Sequence, residues 1–314
     1  MIEPTLRQLA IFRAVARLGN LTRAAEALEL GQPAVSQHVA ALERALGTTL
    51  IVRAGRGVRL SEAGQIVADY GDRILRLSEQ LQAEVTALTG LTAGRLVVGA
   101  GQTPGDYLLP AVLGEFHRRY PGVSVELEIA GTRRVVEWLV RHVYDLGFIG
   151  DRVEHPDLVL EPFVEDRVVL FVARGHPLAR RTRVALAEVL GAGLIAREPG
   201  SATRATGERA LRAAGVAPRF TMELGSNEAV KRAALAGLGV GLTSIYALEV
   251  ELHAARLRVL PVPEFEGGRM LYIARQRNAP LTAAQAAFLE LARAVKETDL
   301  LQRSTRAILP RRPV

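Results

Sequence analysis

The chain has 314 residues, a formal net charge of +7 and no cysteine. With 49% hydrophobic residues and a pI near 10.3, it is long enough for two or three packed domains, and its charge fits a polyanion partner better than an acidic protein. The missing thiols exclude disulfides, thiolate metal sites and a cysteine nucleophile.

Met1 to Pro4 lacks the basic-then-apolar pattern of an export signal, and no apolar run reaches the length of a membrane span. The expectation is a cytoplasmic protein with no membrane partner. Thr5 to Leu18 reads as an amphipathic helix with Leu6, Leu9, Phe12 and Val15 on its buried side. Asn20 to Leu46 then carries the pattern of a helix-turn-helix. Asn20 is a good N-cap, and Ala24, Ala25 and Leu28 make a buried face of mostly small residues. Glu29 to Gly31 is a tight connection, with Gly31 free to take φ > 0 or to cap the next helix.

Pro33 stands in the first turn of the second helix, where a missing N–H costs nothing. Val35, Val39, Leu42 and Leu46 recur at helical spacing toward an interior. The opposite face offers Gln32, Ser36, Gln37 and Ala40, short uncharged groups suited to base edges in a major groove. An ordinary helical hairpin would show a similar polar face. His38 on this helix is open to either a phosphate contact or a solvated flank.

Leu50 to Leu60 reads as two short strands around Ala54 to Gly57, a wing carrying Arg53, Arg56 and Arg59. Residues 1–60 hold eight Arg against four Glu, which places +4 of the total +7 in a fifth of the length. Such a cationic wing suits a DNA backbone; a basic solvated turn is the plainer alternative.

Ser61 caps a long helix running to about Leu88 and ended by Gly90. Ala63, Val67, Tyr70, Ile74, Leu77, Leu81 and Leu88 repeat by fours and threes, broken only at Glu84. An intramolecular stripe would share this pattern, but the near-3.5 period favours pairing with a second copy. Residues 90–94 form the domain boundary. Beyond them, strands and helices alternate, the sign of α/β units around a largely parallel sheet.

Strands are expected at 95–100, 123–130, 146–149, 158–163, 168–173, 194–196, 221–224, 240–242, 257–259 and 270–274. Helices are expected at 107–120, 133–141, 184–190, 203–214, 228–236 and 283–297. Trp138 reads as core. The tail 303–314 is basic, with solvation and DNA contact both open. The six histidines have no metal-ligand spacing, no nucleophile elbow is present, and Gly237 to Gly241 leads into a strand rather than out of one, against a phosphate loop. No cofactor and no enzymatic activity are expected.

Gln8-Leu9, Phe12, Ala16, Gly19, Thr22 to Leu28, Gln32 to Gln37, Leu42-Glu43, Leu46-Gly47 and Arg59 to Gly64 together resemble the N-terminal signature of LysR-type transcriptional regulators. Similarity to this family extends over the whole chain. Gly31 stands where the family usually has Ser or Thr, removing one capping hydroxyl. Ile51 stands where it usually has Phe.

The resemblance implies a winged helix-turn-helix DNA-binding domain (1–60), a linker and dimerisation helix (61–90) and a two-lobed α/β effector domain like periplasmic solute-binding proteins (91–302). The chain would cross between lobes near Phe163–Asp166 and return near Glu264–Gly268. Lobe I would take about 91–163 and 268–302, and lobe II about 164–267, ahead of the basic tail.

Expected partners are double-stranded promoter DNA, a second copy in a homodimer within a homotetramer, RNA polymerase and a small anionic metabolite. The DNA set is Thr22, Arg23, Gln32, Pro33, Ser36, Gln37, Arg53 and Arg56. The dimerisation set is Val67, Tyr70, Ile74, Leu77 and Leu81. Three strand-to-helix turns at 99–110, 197–204 and 225–228 would converge on the cleft and supply Gly101, Gln102, Thr103, Ser201, Thr203 and Asn227 to an effector. Plain helix capping is the alternative use for Thr103, Ser201, Ser226 and Asn227.

The turns also resemble the branch that controls carbon fixation and sulfur or nitrogen assimilation, with Tyr107 to Pro110 and Glu198 to Arg204 as the matching stretches. Gly101 and Gln102 replace hydroxyl residues common there. Rival expectations are a regulator with a vestigial cleft, a solute-binding protein or a small-molecule enzyme.

Overall fold

The computed structural model describes residues 3–55, 57–87 and 94–297. Arg56, Leu88, the boundary residues 90–93 and the tail 303–314 lie outside the described residues, as does the Glu84 side chain. The described residues fall into two compact units: those up to 87 together with Arg141–Val143, and those of 94–297 that remain.

In the first unit, α1 (Leu6–Leu18), α2 (Leu21–Ala27) and α3 (Gln32–Leu46) precede a two-stranded ribbon, β1 (Ile51–Ala54) and β2 (Gly57–Leu60), and then α4 (Glu62–Ala87). Local chemistry sets each boundary. Thr5 and Gln8 form a reciprocal capping box at the start of α1, and Gly19 ends that helix at φ 59. The Asn20 side chain accepts from the N–H groups of Thr22 and Arg23.

In the turn between α2 and α3, Gly31 takes the second of its two expected roles, capping the next helix. Glu29, not Gly31, takes the left-handed conformation, at φ 53. The N–H groups of Leu30 and Glu29 donate to the carbonyls of Ala25 and Glu26, which is the hydrogen-bond pattern of a helix end closed by a left-handed residue. Gly31 instead serves as an extended N-cap for α3 without a side-chain bond.

The core of this unit gathers Leu9, Phe12, Val15, Ala24, Ala25, Val35, Val39, Leu42, Leu50 and Leu75. Leu6 and Leu46 are exposed rather than buried, because the helix ends reach past the three-helix core. Ser61 caps α4 by accepting from the Gly64 N–H. At about 1.5 Å per residue its 26 residues extend roughly 39 Å. The apolar stripe on α4 also needs correction. Val67 is half-buried against the head's own core, while Ile66, Tyr70, Ile74, Leu77, Leu81 and Val85 form the exposed stripe.

In the second unit, strands and helices alternate: β3 (Gly94–Ala100), α5 (Leu109–Arg119), β4 (Val123–Ile129), α6 (Thr132–Val140), β5 (Leu146–Ile149), β6 (Leu158–Ala173), α7 (Leu186–Gly191), β7 (Leu194–Arg197), α8 (Ala202–Ala213), β8 (Met222–Leu224), α9 (Asn227–Leu235), β9 (Val240–Ser244), α10 (Glu249–His253), β10 (Leu257–Val259), β11 (Gly268–Gln276) and α11 (Ala283–Glu297). The strand order is β4-β3-β5-β11-β6-β9-β7-β8, with β10 also on β6. β3 pairs in parallel with β4 and β5, and β7 with β8 and β9. β6 and β11 run antiparallel to their neighbours.

The two expected strands at 158–163 and 168–173 are one continuous strand of 16 residues, serving both lobes. Neither Gly nor Pro falls in 163–168, so the strand itself continues through this stretch. A register shift interrupts its ladder to β11 once: Leu271 pairs with Val164 and Tyr272 with Pro162, leaving Phe163 unmatched as a bulge. Helix 107–120 is also divided, with a π-helical turn at Pro104–Leu108 ahead of α5. Trp138 is half-buried, not core; the Arg134 guanidinium sits 4.3 Å from its ring centroid. Gly237 and Gly239 take φ 80 and 146 in a turn, and a Cβ on Gly239 would stand 2.5 Å from the Gly193 carbonyl oxygen. The close packing is confined to Gly239, since Gly237 has no atom within 4 Å of its would-be Cβ.

Candidate DNA-reading head and effector cleft

On the head, Thr22, Arg23, Gln32, Pro33 and Gln37 are exposed and Ser36 is half-buried. Gln32 Nε2 donates to Ser36 Oγ at 3.0 Å, so the two side chains hold each other one turn apart on α3. The wing pairs Val52 with Arg59 and Arg53 with Val58. Side chains alternate across a ribbon, so the exposed Arg53 and Arg59 project from opposite faces. The Val58 N–H bonds the Gly19 carbonyl at 2.8 Å, and Glu43 accepts from the N–H groups of Leu50 and Ile51. Glu43 thereby ties the wing to the base of the reading helix. Among the described residues Arg23, Arg53 and Arg59 form no ion pair.

In the second unit the three turns do come together. They line a cleft of about 240 Å³ with Gly101, Gln102, Thr103, Ser201, Thr203 and Gly225, joined by Gly150, Arg197, Glu198 and Arg269. Asn227 lies behind this lining, fully buried. The turns differ in how they use their polar side chains. Ser201 and Ser226 are N-caps, accepting from the N–H groups of Arg204 and Ala229. Thr103 makes no capping bond. Its hydroxyl instead accepts from Arg269 Nη2 at 3.1 Å, and the Thr203 hydroxyl accepts from the same nitrogen at 3.2 Å.

Gln102 Oε1 accepts from Arg197 Nη1 and from the Asn227 N–H. Asn227 Oδ1 accepts from Arg197 Nη1 at 3.1 Å and from the Thr243 hydroxyl at 3.1 Å. These bonds join the turn after β3 to the turns after β7 and β8. At the edge, Arg209 on α8 meets Asp151 at 3.0 Å.

The two guanidiniums of the cleft are the features that the sequence pattern did not single out. Arg269 faces Asp166 across the ladder and bonds its carboxylate through Nε and Nη2, at 2.7 and 2.6 Å. Asp166 also accepts from the Ser244 hydroxyl. Arg269 Nη1 is buried with no hydrogen-bond partner, 3.3 Å from where a Cβ on Gly150 would stand. Arg197 is gripped by Glu198 through Nε and Nη2, at 2.7 and 2.6 Å. Burial raises the Glu198 pKa, but bonds from Arg197 outweigh this and hold the carboxyl below the usual carboxylate range.

Arg204 turns away from the cleft. It bonds Glu208, Glu223 and the Arg197 carbonyl and lies over the Phe220 ring. The available signal for Asp166 and Arg269 was a pair of opposite charges at the two crossover stretches.

Comparison with known proteins agrees with this architecture. Residues 6–65 match the model of the bacterial regulatory helix-turn-helix protein, lysR family, and residues 89–297 match the LysR substrate binding domain. The HTH-type transcriptional activator CmpR of Synechocystis is 37% identical over 290 residues, covering 92% of this chain and 95% of that protein.

The regulatory domain of Synechocystis PCC6803 CcmR, solved in complex with 2-PG, is 30% identical with a TM-score of 0.60, covering 65% of this chain and 98% of that one. The crystal structure of CbnR, a LysR family transcriptional regulator, shares the fold, with 22% identity and a TM-score of 0.71 over 94% of this chain and all of the CbnR chain (100%). No helix among the described residues is long and apolar enough to cross a membrane. With one matched model on the reading head and the other on the cleft-bearing unit, the chain belongs to the LysR family and is a DNA-binding transcriptional regulator, not an enzyme.

Proposed function

We propose that the cleft binds a small anionic metabolite and that its occupancy modulates promoter binding by the head. The observation that carries this reading is the buried, unpartnered Nη1 of Arg269, set in the cleft lining beside Gly150 with two threonine hydroxyls on its neighbouring nitrogen. Buried donors are nearly always satisfied, and an oxyanion is the partner this one fits. The 2-PG held by the CcmR domain supports the same class of ligand. Gly101, Gln102, Thr103, Ser201, Thr203 and Asn227 form or back the proposed effector site, with Arg197 and Arg269 added. A ligand shifts the molecule only by binding one arrangement of the lobes better than the other.

For DNA we assign Thr22, Arg23, Gln32, Pro33, Ser36, Gln37, Arg53 and Arg56, with the head at 1–60, the linker helix at 61–90 and the effector domain at 91–302. Self-association is assigned to the exposed α4 stripe of Tyr70, Ile74, Leu77 and Leu81, joined by Ile66 and Val85 in place of Val67. A homodimer would present two heads to two half-sites. Assembly to a homotetramer, contact with RNA polymerase and a cytoplasmic location complete the proposal.

The test of the cleft is a thermal melt against small anions at millimolar concentration. A ligand present at 100 times its Kd stabilises by about 2.7 kcal/mol. A melting temperature unmoved by every anion would favour the second reading, a vestigial cleft, which gains some support from the carboxylates already paired with Arg197 and Arg269. For the α4 stripe, Leu77→Asp should convert a dimer to monomer in sedimentation velocity; an unchanged assembly would remove α4 from the interface.

A further inference from the structure

We infer that the Glu198 carboxylate is a built-in occupant of the effector site, and that the cleft takes a ligand whose carboxylate or phosphate replaces it on the fork of Arg197. This inference rests on the proposed effector reading of the cleft and deepens it.

The charges of the cleft balance internally. Arg269 is matched by Asp166 and Arg197 by Glu198, so an arriving anion meets no uncompensated guanidinium. Arg269 Nη1 still offers one open hydrogen bond, but an anion gains a full two-donor ion pair in the cleft only where one carboxylate leaves. The two carboxylates are not equally free to do so. The Asp166 side chain has no exposed surface, lies opposite Arg269 in the ladder and holds the Ser244 hydroxyl as well. Removing it would strand a charge in the interior. The Glu198 side chain is 42% exposed, whereas Arg197 is 8% exposed. Among the described residues the only side chain bonded to Glu198 is Arg197.

Its backbone, meanwhile, stays fixed by the bond from its N–H to the Leu224 carbonyl. A change of side-chain rotamer thus moves the carboxylate into solvent without disturbing the turn. What remains is a two-donor edge of Arg197, in a plane that suits a carboxylate or phosphate, with Arg197 Nη1 still held by Gln102 and Asn227. A neutral ligand gains nothing from this exchange and leaves the internal ion pair in place. Glu198 thereby selects for charge: it admits ligands that bind Arg197 better than a tethered carboxylate does.

The test is isothermal titration of the full-length protein with inorganic phosphate and with 2-PG, comparing the wild type with Glu198→Gln and Glu198→Ala. Glu264→Gln makes the same charge change outside the cleft and serves as the control. Release of the internal carboxylate should tighten both ligands about tenfold in the two Glu198 variants, as removal of a like charge from a partly buried site predicts. The control should match the wild type. Melting curves identify any variant that does not fold, and Glu198→Ala then stands in for Glu198→Gln.

Equal affinity in wild type and Glu198 variants would overturn the exchange while leaving the effector reading intact. Weaker binding in those variants would also overturn it, by making Glu198 a ligand contact. An equal gain in Glu264→Gln would reduce the effect to net charge and overturn it too. Binding by none of the proteins would remove both the exchange and the anionic effector.

Discussion

On the wing, Arg53 and Arg59 stand in solvent with no ion pair among the described residues, whereas in the cleft Arg197 and Arg269 are buried and each is gripped by a carboxylate. The same side chain is used in two ways. An exposed guanidinium costs the fold little and remains available to a polyanion, which it attracts through a field that salt screens. A buried guanidinium is tolerated only with a partner, so recognition there proceeds by exchanging partners within fixed geometry. The head is therefore built for a long charged duplex, and the cleft for one compact group.

Four substitutions test this contrast, the largest effect first. Arg269→Met leaves the buried Asp166 charge unmatched and should destabilise the protein by about 3–5 kcal/mol, read by chemical or thermal unfolding. Arg53→Ala should leave stability within about 0.5 kcal/mol; equal losses at the two sites would erase the distinction. Gln37→Ala should cost about 1–3 kcal/mol on the specific duplex and little on random duplex, measured by fluorescence anisotropy. An equal fall on both would make Gln37 a backbone contact.

Gly150→Ala would set a methyl 3.0 Å from the Ala202 Cβ and 3.3 Å from Arg269 Nη1. It should weaken anion binding severalfold in calorimetry while leaving DNA affinity without ligand unchanged. Unaltered anion affinity would mean that Arg269 Nη1 takes no part in binding. Last, Arg53→Ala should lower the slope of log affinity against log salt by about 1. An unchanged slope would place Arg53 away from phosphate.

Much of this was legible in the sequence because it is local. Asn20, Ser61, Ser201 and Ser226 cap the helices they precede, and strand 146–149 is a short apolar run with turns on both sides. The misassignments have long-range causes. Val67 and Ile66 are adjacent apolar residues on one helix, and only the position of the head's core decides which is buried. Arg269 and Asp166 are 103 residues apart, and their opposition depends on the register of β11 against β6. No window of sequence contains that register.

The continuous strand β6 changes what opening the cleft would mean. With one strand woven into both sheets, the lobes have no slack connector along it about which to swing. Separation would have to flex a hydrogen-bonded ribbon, and the natural place is the unmatched Phe163, where the pairing with β11 already skips a step. Any change of lobe angle along this strand would thus be carried by backbone that stays hydrogen-bonded on either side of that skipped step.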